Sequence, residues 1–512
     1  MTTALGIDVG TTSTKVALVD VDRAVVLGIA AAPTPAAAHV DALVADLAGR
    51  VVAAGPRPEA VGVASMAETG VPVGPDGRTR GDWLRWDGHR ADAQARALAE
   101  RLGRGELFAA TGVRASAKVP LATWAWLAEH GQGVLHAGGR WAGAADLVVL
   151  GLTGRLVTDH TLAGRTMAYR LGRPGDLPHG FDAALLREVG LGARHVPAVL
   201  APGAHVGLRA GPLTALGLLV GTPVTVAGHD HAVGAFAAGV RGPGDVADSV
   251  GTTEVVCTVL PRDPEPGPVA AAGMSLVRTV RGDRPALVAG SSSAGGAVEA
   301  WLDQVVGPRG REHDEHPYDE HPHDEPAHDE RDRVRAAASV PFVVDEVVDA
   351  AVDGAFVVLP YLHGRQTPRP DPAARLRALG PVPADPVAAV RGVLLGAALH
   401  ARWMLDEQAA LAGAAPRAVR VLGRPVATNP AWAAVKRWCT PVPLTVVDEP
   451  QAVAAGAALL AAERAGLVGV APVLAASTPA TVPTGPRGPR GAVGPADAEA
   501  WLARFVAAAT AP

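Results

Sequence analysis

The sequence predicts an α/β protein of two related halves facing one cleft. Segments of strand and helix character alternate from residue 1 to about 240. A strand, a glycine turn and a second strand lie at Leu5–Asp20, and a similar unit recurs at Asp245–Thr253. A chain of 512 residues has ample apolar material for two domains with separate cores. Aromatic residues make up only 4%, while alanine, valine and glycine abound, which suits helices packed through small side chains.

The first unit reads LGIDVGTTSTKVALVD. Ile7, Val9, Val16, Leu18 and Val19 are strand formers, and Gly10-Thr11-Thr12-Ser13 breaks them into a hairpin turn. One glycine, three hydroxyls and Lys15 suit an anion, because amides and hydroxyls present donors while glycine lets a ligand approach the backbone. Asp8 is placed to hold a hydrated divalent cation, since Mg²⁺ takes one or two carboxylates plus phosphate oxygens. No GxxxxGK[ST] follows, so this is a phosphate hairpin and not a helix-capped P-loop. An ordinary polar turn is the competing reading.

Further along, Val61–Ser65 and Thr222–Gly228 read as buried strands, and Asp92–Leu102 and Pro120–His130 as amphipathic helices. His229-Asp230-His231 follows the second strand and opens a small-residue helix. A carboxylate at such a corner projects from the carboxyl edge of a sheet, where α/β folds bind ligands; an aspartate there is also a common N-cap. The two histidines shape that corner, and no third metal ligand is visible near them in sequence. Gly251-Thr252-Thr253 in the second unit could hold the far side of a phosphate chain. These boundaries divide the chain into residues 1–242 and 243–512.

Residues 312–330 hold nine acidic residues and five histidines, with no lysine or arginine. Without them the formal net charge moves from −5 to +4. The composition predicts a disordered acidic insertion, with Zn²⁺ or Ni²⁺ binding as the alternative. Residues 477–495 read as loop, and Ala496–Ala508 as a terminal helix against the second domain. No basic stripe points to nucleic acid. Two cysteines, Cys257 and Cys439, lie far apart and exclude a disulfide scaffold or a CxxC zinc site. The first strand leaves no room for a leader, and apolar runs are too short to span a bilayer, so a cytoplasmic protein is expected.

Taken in order, these motifs resemble the FGGY carbohydrate kinase family, which includes glycerol kinase, xylulokinase, ribulokinase and gluconate kinase. GIDVGTTSTKVALVD is similar to its first phosphate motif, VAGHDHAVGAFAAGV to the segment of the catalytic aspartate, and DSVGTTEVV to the second phosphate motif. LPYLHGRQTPRPDPAAR and RGVLLGAALHARWML resemble the family's next two segments. The resemblance implies two actin-like (ribonuclease H-like) ATPase domains flanking the cleft, with ATP and Mg²⁺ as cofactors. A sugar, polyol or sugar acid would be phosphorylated, and homodimers are frequent among relatives.

Residue by residue, the resemblance makes Asp230 the general base and Asp8 the Mg²⁺-linked carboxylate. Gly10, Thr11, Thr12 and Lys15 match the first phosphate loop, and Gly251 and Thr252 the second. Glu68 and Thr69 match a sugar-side Glu-Thr whose preceding arginine is Ala67 here. Trp86, Asp87 and Arg90 resemble a neighbouring substrate segment, and His231 stands beside the base. Gly423 and Asn429 fall in the adenosine segment, where Arg424 and Pro425 replace glycines. Gly364-Arg365-Gln366 likewise departs from the family's Gly-Glu-Arg. Two alternatives stand beside a kinase: a sugar sensor with weakened catalysis, or another actin-like ATPase. Chaperones of that fold lack the HDH corner, and radical-enzyme activators carry cluster-binding cysteines that are missing here.

Overall fold

The computed structural model describes residues 1–53, 55–131, 133–135, 137–307, 330–342, 356–481 and 495–511. A first sheet contains β1 (Thr3–Val9), β2 (Ser13–Asp20), β3 (Val25–Pro33), β4 (Ala60–Ser65), β5 (Val206–Gly207) and β6 (Pro223–His229). Its spatial order is β3-β2-β1-β4-β6-β5. A second sheet contains β7 (Asp245–Val250), β8 (Glu254–Val259), β9 (Ser275–Arg278), β10 (Pro285–Ser291), β11 (Ala418–Leu422), β12 (Leu444–Val447) and β13 (Ala476–Ser477). Its order is β9-β10-β8-β7-β11-β12-β13.

Both sheets follow one plan. β1 pairs antiparallel with β2, as β7 does with β8. The first strand of each hairpin then opens a run of three parallel strands, β1-β4-β6 and β7-β11-β12. The echo between the two glycine turns is therefore a repeat of topology.

The helices that bear on the site are α1 (Val40–Val52), α2 (Ala144–Thr153), α3 (Asp230–Ala237), α4 (Gly295–Val305), α5 (Pro386–Ala412), α6 (Pro430–Cys439) and α7 (Ala452–Arg464). Side chains alternate across a strand, and β1 uses this to face two layers. Leu5, Ile7 and Val9 share a core with Val44 and Leu47 of α1 and Val148 of α2. Ala4, on the opposite face, joins a core with Val233 of α3 and Leu459 of α7.

α7 comes late in the chain, yet it packs on β1 and β4 of the first sheet and on α3. Its Ala-Val-Ala-Ala-Gly-Ala-Ala run makes this close approach possible. A Cβ added at Gly6 would stand 1.8 Å from the Ala454 carbonyl oxygen. An alanine there must push α7 away, and overpacking of this kind costs ~1–3 kcal/mol or more. The small-residue packing expected from composition is thus found where the two halves meet.

Helices occupy Asp92–Leu102 and Pro120–His130, as the apolar spacing predicts. The helix Pro495–Thr510 packs on α5 and α6 of the second half and buries Phe505. Of the acidic insertion, residues 312–329 lie outside the described residues, and Glu330 opens the helix Glu330–Ala338. Most of the loop expected at 477–495 also lies outside them. Among the described residues no helix is long and apolar enough to cross a membrane. Cys257 and Cys439 are buried free thiols.

Candidate active site

Three parallel strands end side by side. Val9 of β1 and His229 of β6 both pair with Ser65 of β4. The residues that follow therefore emerge on one edge: Gly10 after β1, Met66 to Thr69 after β4, and Asp230 after β6. Parallel strands carry ligand-binding groups at this carboxyl edge.

The first turn is held tightly. The Gly10 amide donates to the Ser13 carbonyl (3.2 Å), and the Thr34 hydroxyl donates to the Gly10 carbonyl (2.7 Å). Thr12 is exposed at the tip. Thr11 accepts a hydrogen bond from the Trp86 indole (2.9 Å), while the Trp86 amide donates to the Thr69 hydroxyl (3.1 Å). Trp86 thus ties the Gly10 turn to the segment that follows β4. Lys15 turns inward and donates to Asp8 Oδ2 (2.9 Å). Asp8 Oδ1 is buried and has no hydrogen-bond partner among the described residues. Burial pushes the Asp8 carboxyl up, against the pull of Lys15.

Asp230 is the first residue of α3, and His229 holds the N-cap position. Asp230 is thus no N-cap. Its Oδ1 accepts from the His231 amide (2.6 Å), with His229 Nε2 at 3.1 Å and His231 Nε2 at 3.7 Å. Burial alone would raise this carboxyl, but the His231 and His229 imidazoles and the His231 amide hold it below its ordinary value. It is ionised at neutral pH. Burial pushes His229 down to about 4, so that ring is neutral. The His229 amide donates to Thr161 Oγ1 (2.8 Å), which anchors the corner to a neighbouring segment.

Glu68 adopts φ +66°, a left-handed conformation that costs a non-glycine residue ~1–3 kcal/mol. Its surroundings hold it there. Arg165 donates twice to Oε1 (3.2 and 2.7 Å), and Lys118 lies 3.8 Å from Oε2. Burial would raise the Glu68 carboxyl, but Lys118 and Arg165 outweigh it and keep the group ionised. Asp87, by contrast, is exposed and engaged in two hydrogen bonds by Arg85 (3.0 and 2.7 Å). Arg90 is exposed as well. Of this segment, Trp86 is the residue bonded into the cluster. A cavity of about 640 Å³, counting its open mouth, adjoins the corner and is lined by Thr161, Arg165, His229, His231 and Phe236 among others.

The second half contributes the turn between β7 and β8. Gly251 donates to the Thr253 carbonyl (2.8 Å), leaving Thr252 exposed at the tip. The start of α4 clasps this turn: the Ala294 and Gly296 amides donate to the Thr252 carbonyl, and the Gly295 amide to that of Gly251. Gly423 sits against the same hairpin with φ +114°, and a Cβ there would lie 1.9 Å from the Val250 carbonyl oxygen. Only glycine fits. Asn429 caps α6 by accepting from the Trp432 amide (2.9 Å). Arg424 is exposed and opens the short helix Arg424–Ala427, where Pro425 suits the first turn.

The family model for the N-terminal domain of the FGGY family of carbohydrate kinases matches residues 53–237, and the model for its C-terminal domain matches residues 246–465. The chain belongs to the FGGY family of carbohydrate kinases. It is 31% identical over 196 residues to xylulose kinase of Streptomyces rubiginosus, a stretch covering 38% of this chain and 39% of that protein. With L-fuculokinase of Escherichia coli (strain K12) it shares 29% identity over 174 residues, 34% of this chain and 36% of the relative. These matches thus span about two fifths of the curated relatives. Among solved structures, a ligand-bound xylulose kinase from Lactobacillus acidophilus superposes with TM-score 0.78 at 18% identity, over 100% of this chain and 99% of the other. Plasmodium falciparum glycerol kinase with ADP gives 0.74 at 14%, over 91% and 90%. Such identities show a common fold.

The residues on the shared edge suit what an FGGY protein holds. Asp8 Oδ1 is a buried carboxylate oxygen with an open acceptor position, as a hydrated Mg²⁺ requires. Two glycine-hydroxyl turns, tipped by Thr12 and Thr252, present donors suited to phosphate.

Sequence reasoning missed several partners. Arg165 and Lys118 lie 97 and 50 positions from Glu68, and only the fold brings them together. Lys436 of α6 is buried and pairs with Asp248 of β7 (2.5 Å) and with Glu254 of β8, binding both strands of the second hairpin to the helix that Asn429 caps. The Gly290–Gly296 run, GSSSAGG, was the one local signal for the α4 clasp.

Proposed function

We propose that the protein transfers the γ-phosphate of ATP to a hydroxyl of a small sugar, polyol or sugar acid, with Asp230 as general base. The observation that carries this is the ionised Asp230 carboxylate on the edge it shares with the Gly10 turn and Glu68. Phosphoryl transfer asks for positioning and charge neutralisation more than covalent chemistry.

Thr11 and Thr12 with the Gly10 turn, and Gly251 and Thr252 opposite, would grip the phosphate chain. Asp8 would hold Mg²⁺, which neutralises charge on the phosphate oxygens when bound. Gly423 to Asn429 would lie along the adenosine. Glu68, fixed by Arg165 and Lys118, would accept from sugar hydroxyls, with Thr69 and the Trp86 bonded to it alongside and His231 on the side of Asp230. Asp230 takes the hydroxyl proton as that oxygen attacks phosphorus, and the neutral His229 leaves the carboxylate free to accept it. The two halves closing on each other would keep water from the phosphate.

Ketoses head the candidates, because the relatives are named xylulose kinase and L-fuculokinase. An ADP-release assay across pentuloses, deoxyhexuloses, polyols and aldonic acids, with product mass determined, tests the proposal. A product heavier by one phosphoryl group is expected with at least one of these. ATP binding without transfer to any of them would refute it.

A further inference from the structure

His229, Asp230 and His231 present their ligand atoms within 4.8 Å of one another. Asp230 Oδ1 lies 3.1 Å from His229 Nε2 and 3.7 Å from His231 Nε2. Two ligands on a tetrahedral Zn²⁺ stand about 3.4 Å apart, given metal–ligand bonds of about 2.1 Å. The two carboxylate–imidazole separations lie on either side of that value and all three ligand atoms lie within 4.8 Å, so side-chain adjustment without backbone movement would close three protein ligands on one ion. The rings meet nearly edge to face, at 83°, so they do not stack against each other and both Nε2 atoms can reach the carboxylate. The corner is rigid: β6 ends at His229, α3 begins at Asp230, and Thr161 holds the His229 amide. All three residues are partly exposed, which leaves a path for entry.

We propose that this corner is a second metal site, for a transition-metal dication of the Zn²⁺ type, and that its occupation shuts down phosphoryl transfer. Two imidazoles and one carboxylate are the donor set of zinc and its neighbours, whereas Mg²⁺ prefers oxygen ligands such as Asp8 can supply. A metal on Asp230 takes the lone pair that the proposed base needs for the hydroxyl proton. The inhibitory half of the proposal rests on Asp230 as base; the binding half does not.

Co²⁺ reports on such a site through its visible absorption, independently of any kinase activity. The full chain, a variant lacking residues 312–330, His231→Gln and Asp230→Asn would each be titrated with Co²⁺ and checked for native melting. One Co²⁺ per chain with tetrahedral bands is expected in the wild type and in the deletion, with binding at least tenfold weaker in both point variants. Zn²⁺ should displace it, and should inhibit the wild type and the deletion variant reversibly with EDTA. Absence of the bands in the wild type, their loss in the deletion alone, or their persistence in both point variants would overturn the site. Binding as expected without inhibition would overturn the inhibitory role alone.

Discussion

Asp230→Asn isolates the proposed proton-accepting step. The amide has the shape of the carboxylate, and its Oδ1 still accepts from the His231 backbone amide, so the corner keeps its geometry. His229 is neutral and Lys15 keeps its pairing with Asp8, so neither is left as an unpaired buried cation. What disappears is the ability to take a proton. General-base assistance contributes ~10²- to 10⁴-fold, or about 3–5 kcal/mol of barrier at ~1.4 kcal/mol per tenfold. We expect kcat to fall by that factor in a coupled ADP-release assay, with calorimetric ATP affinity within about twofold of wild type. The pH profile adds a second reading. A base works while ionised, so activity is kept above its pKa and lost as pH falls through it. The Asp230 value lies below the ordinary 3.8, so this group should impose no acid limb between neutrality and about pH 5. A variant retaining more than about a tenth of wild-type kcat, or a wild-type limb centred near neutrality and absent from the variant, would refute the assignment.

Other parts of the site respond separately. Arg165→Met strips the buried Glu68 of its doubly bonded partner, and breaking such a pair costs ~3–5 kcal/mol; the sugar KM should rise at least tenfold while the ATP KM stays within about twofold. Lys436→Met leaves Asp248 and Glu254 facing each other in the core, with a similar ~3–5 kcal/mol loss by urea denaturation. Adding Glu254→Gln to it should recover part of that loss, and the single variant should raise the ATP KM without altering sugar preference. Arg424→Gly should lower the ATP KM and leave the order of preference among sugars unchanged, as read from initial rates across the panel.

The fold was legible where backbone chemistry is local. The hairpin turns announce themselves through Gly10 and Gly251, and the strand after Thr222 through its β-branched run, because strand propensity and glycine turns act over a few residues. The crossing of α7 onto the first sheet was not legible. Nothing near Ala452 says that its carbonyl neighbours will meet Gly6, more than four hundred positions earlier; the alanine-rich composition shows only that some helix packs closely. Arg424 shows another limit of the sequence. Set against a family pattern of glycines it is the departure that draws notice, and it is exposed, whereas the residue whose backbone is constrained is its neighbour Gly423, pressed against Val250.

The same division separates Glu68 from Asp87 within the first half of the chain. Both are carboxylates placed by resemblance, but Asp87 finds its cation two residues away in an exposed loop, where an ion pair is worth ~0–1 kcal/mol. Glu68 is buried in a strained backbone conformation and depends on Arg165 and Lys118 from distant segments. A carboxylate that carries backbone strain and desolvation together must be compensated by long-range partners, and those partners leave no mark beside it in the sequence. The strain at Glu68 and the charge of Arg165 are therefore one device: removing the arginine should disturb the Glu68 backbone as well as its ionisation. The sugar KM is then expected to respond to Arg165→Met more strongly than to the loss of the exposed Arg85–Asp87 pair.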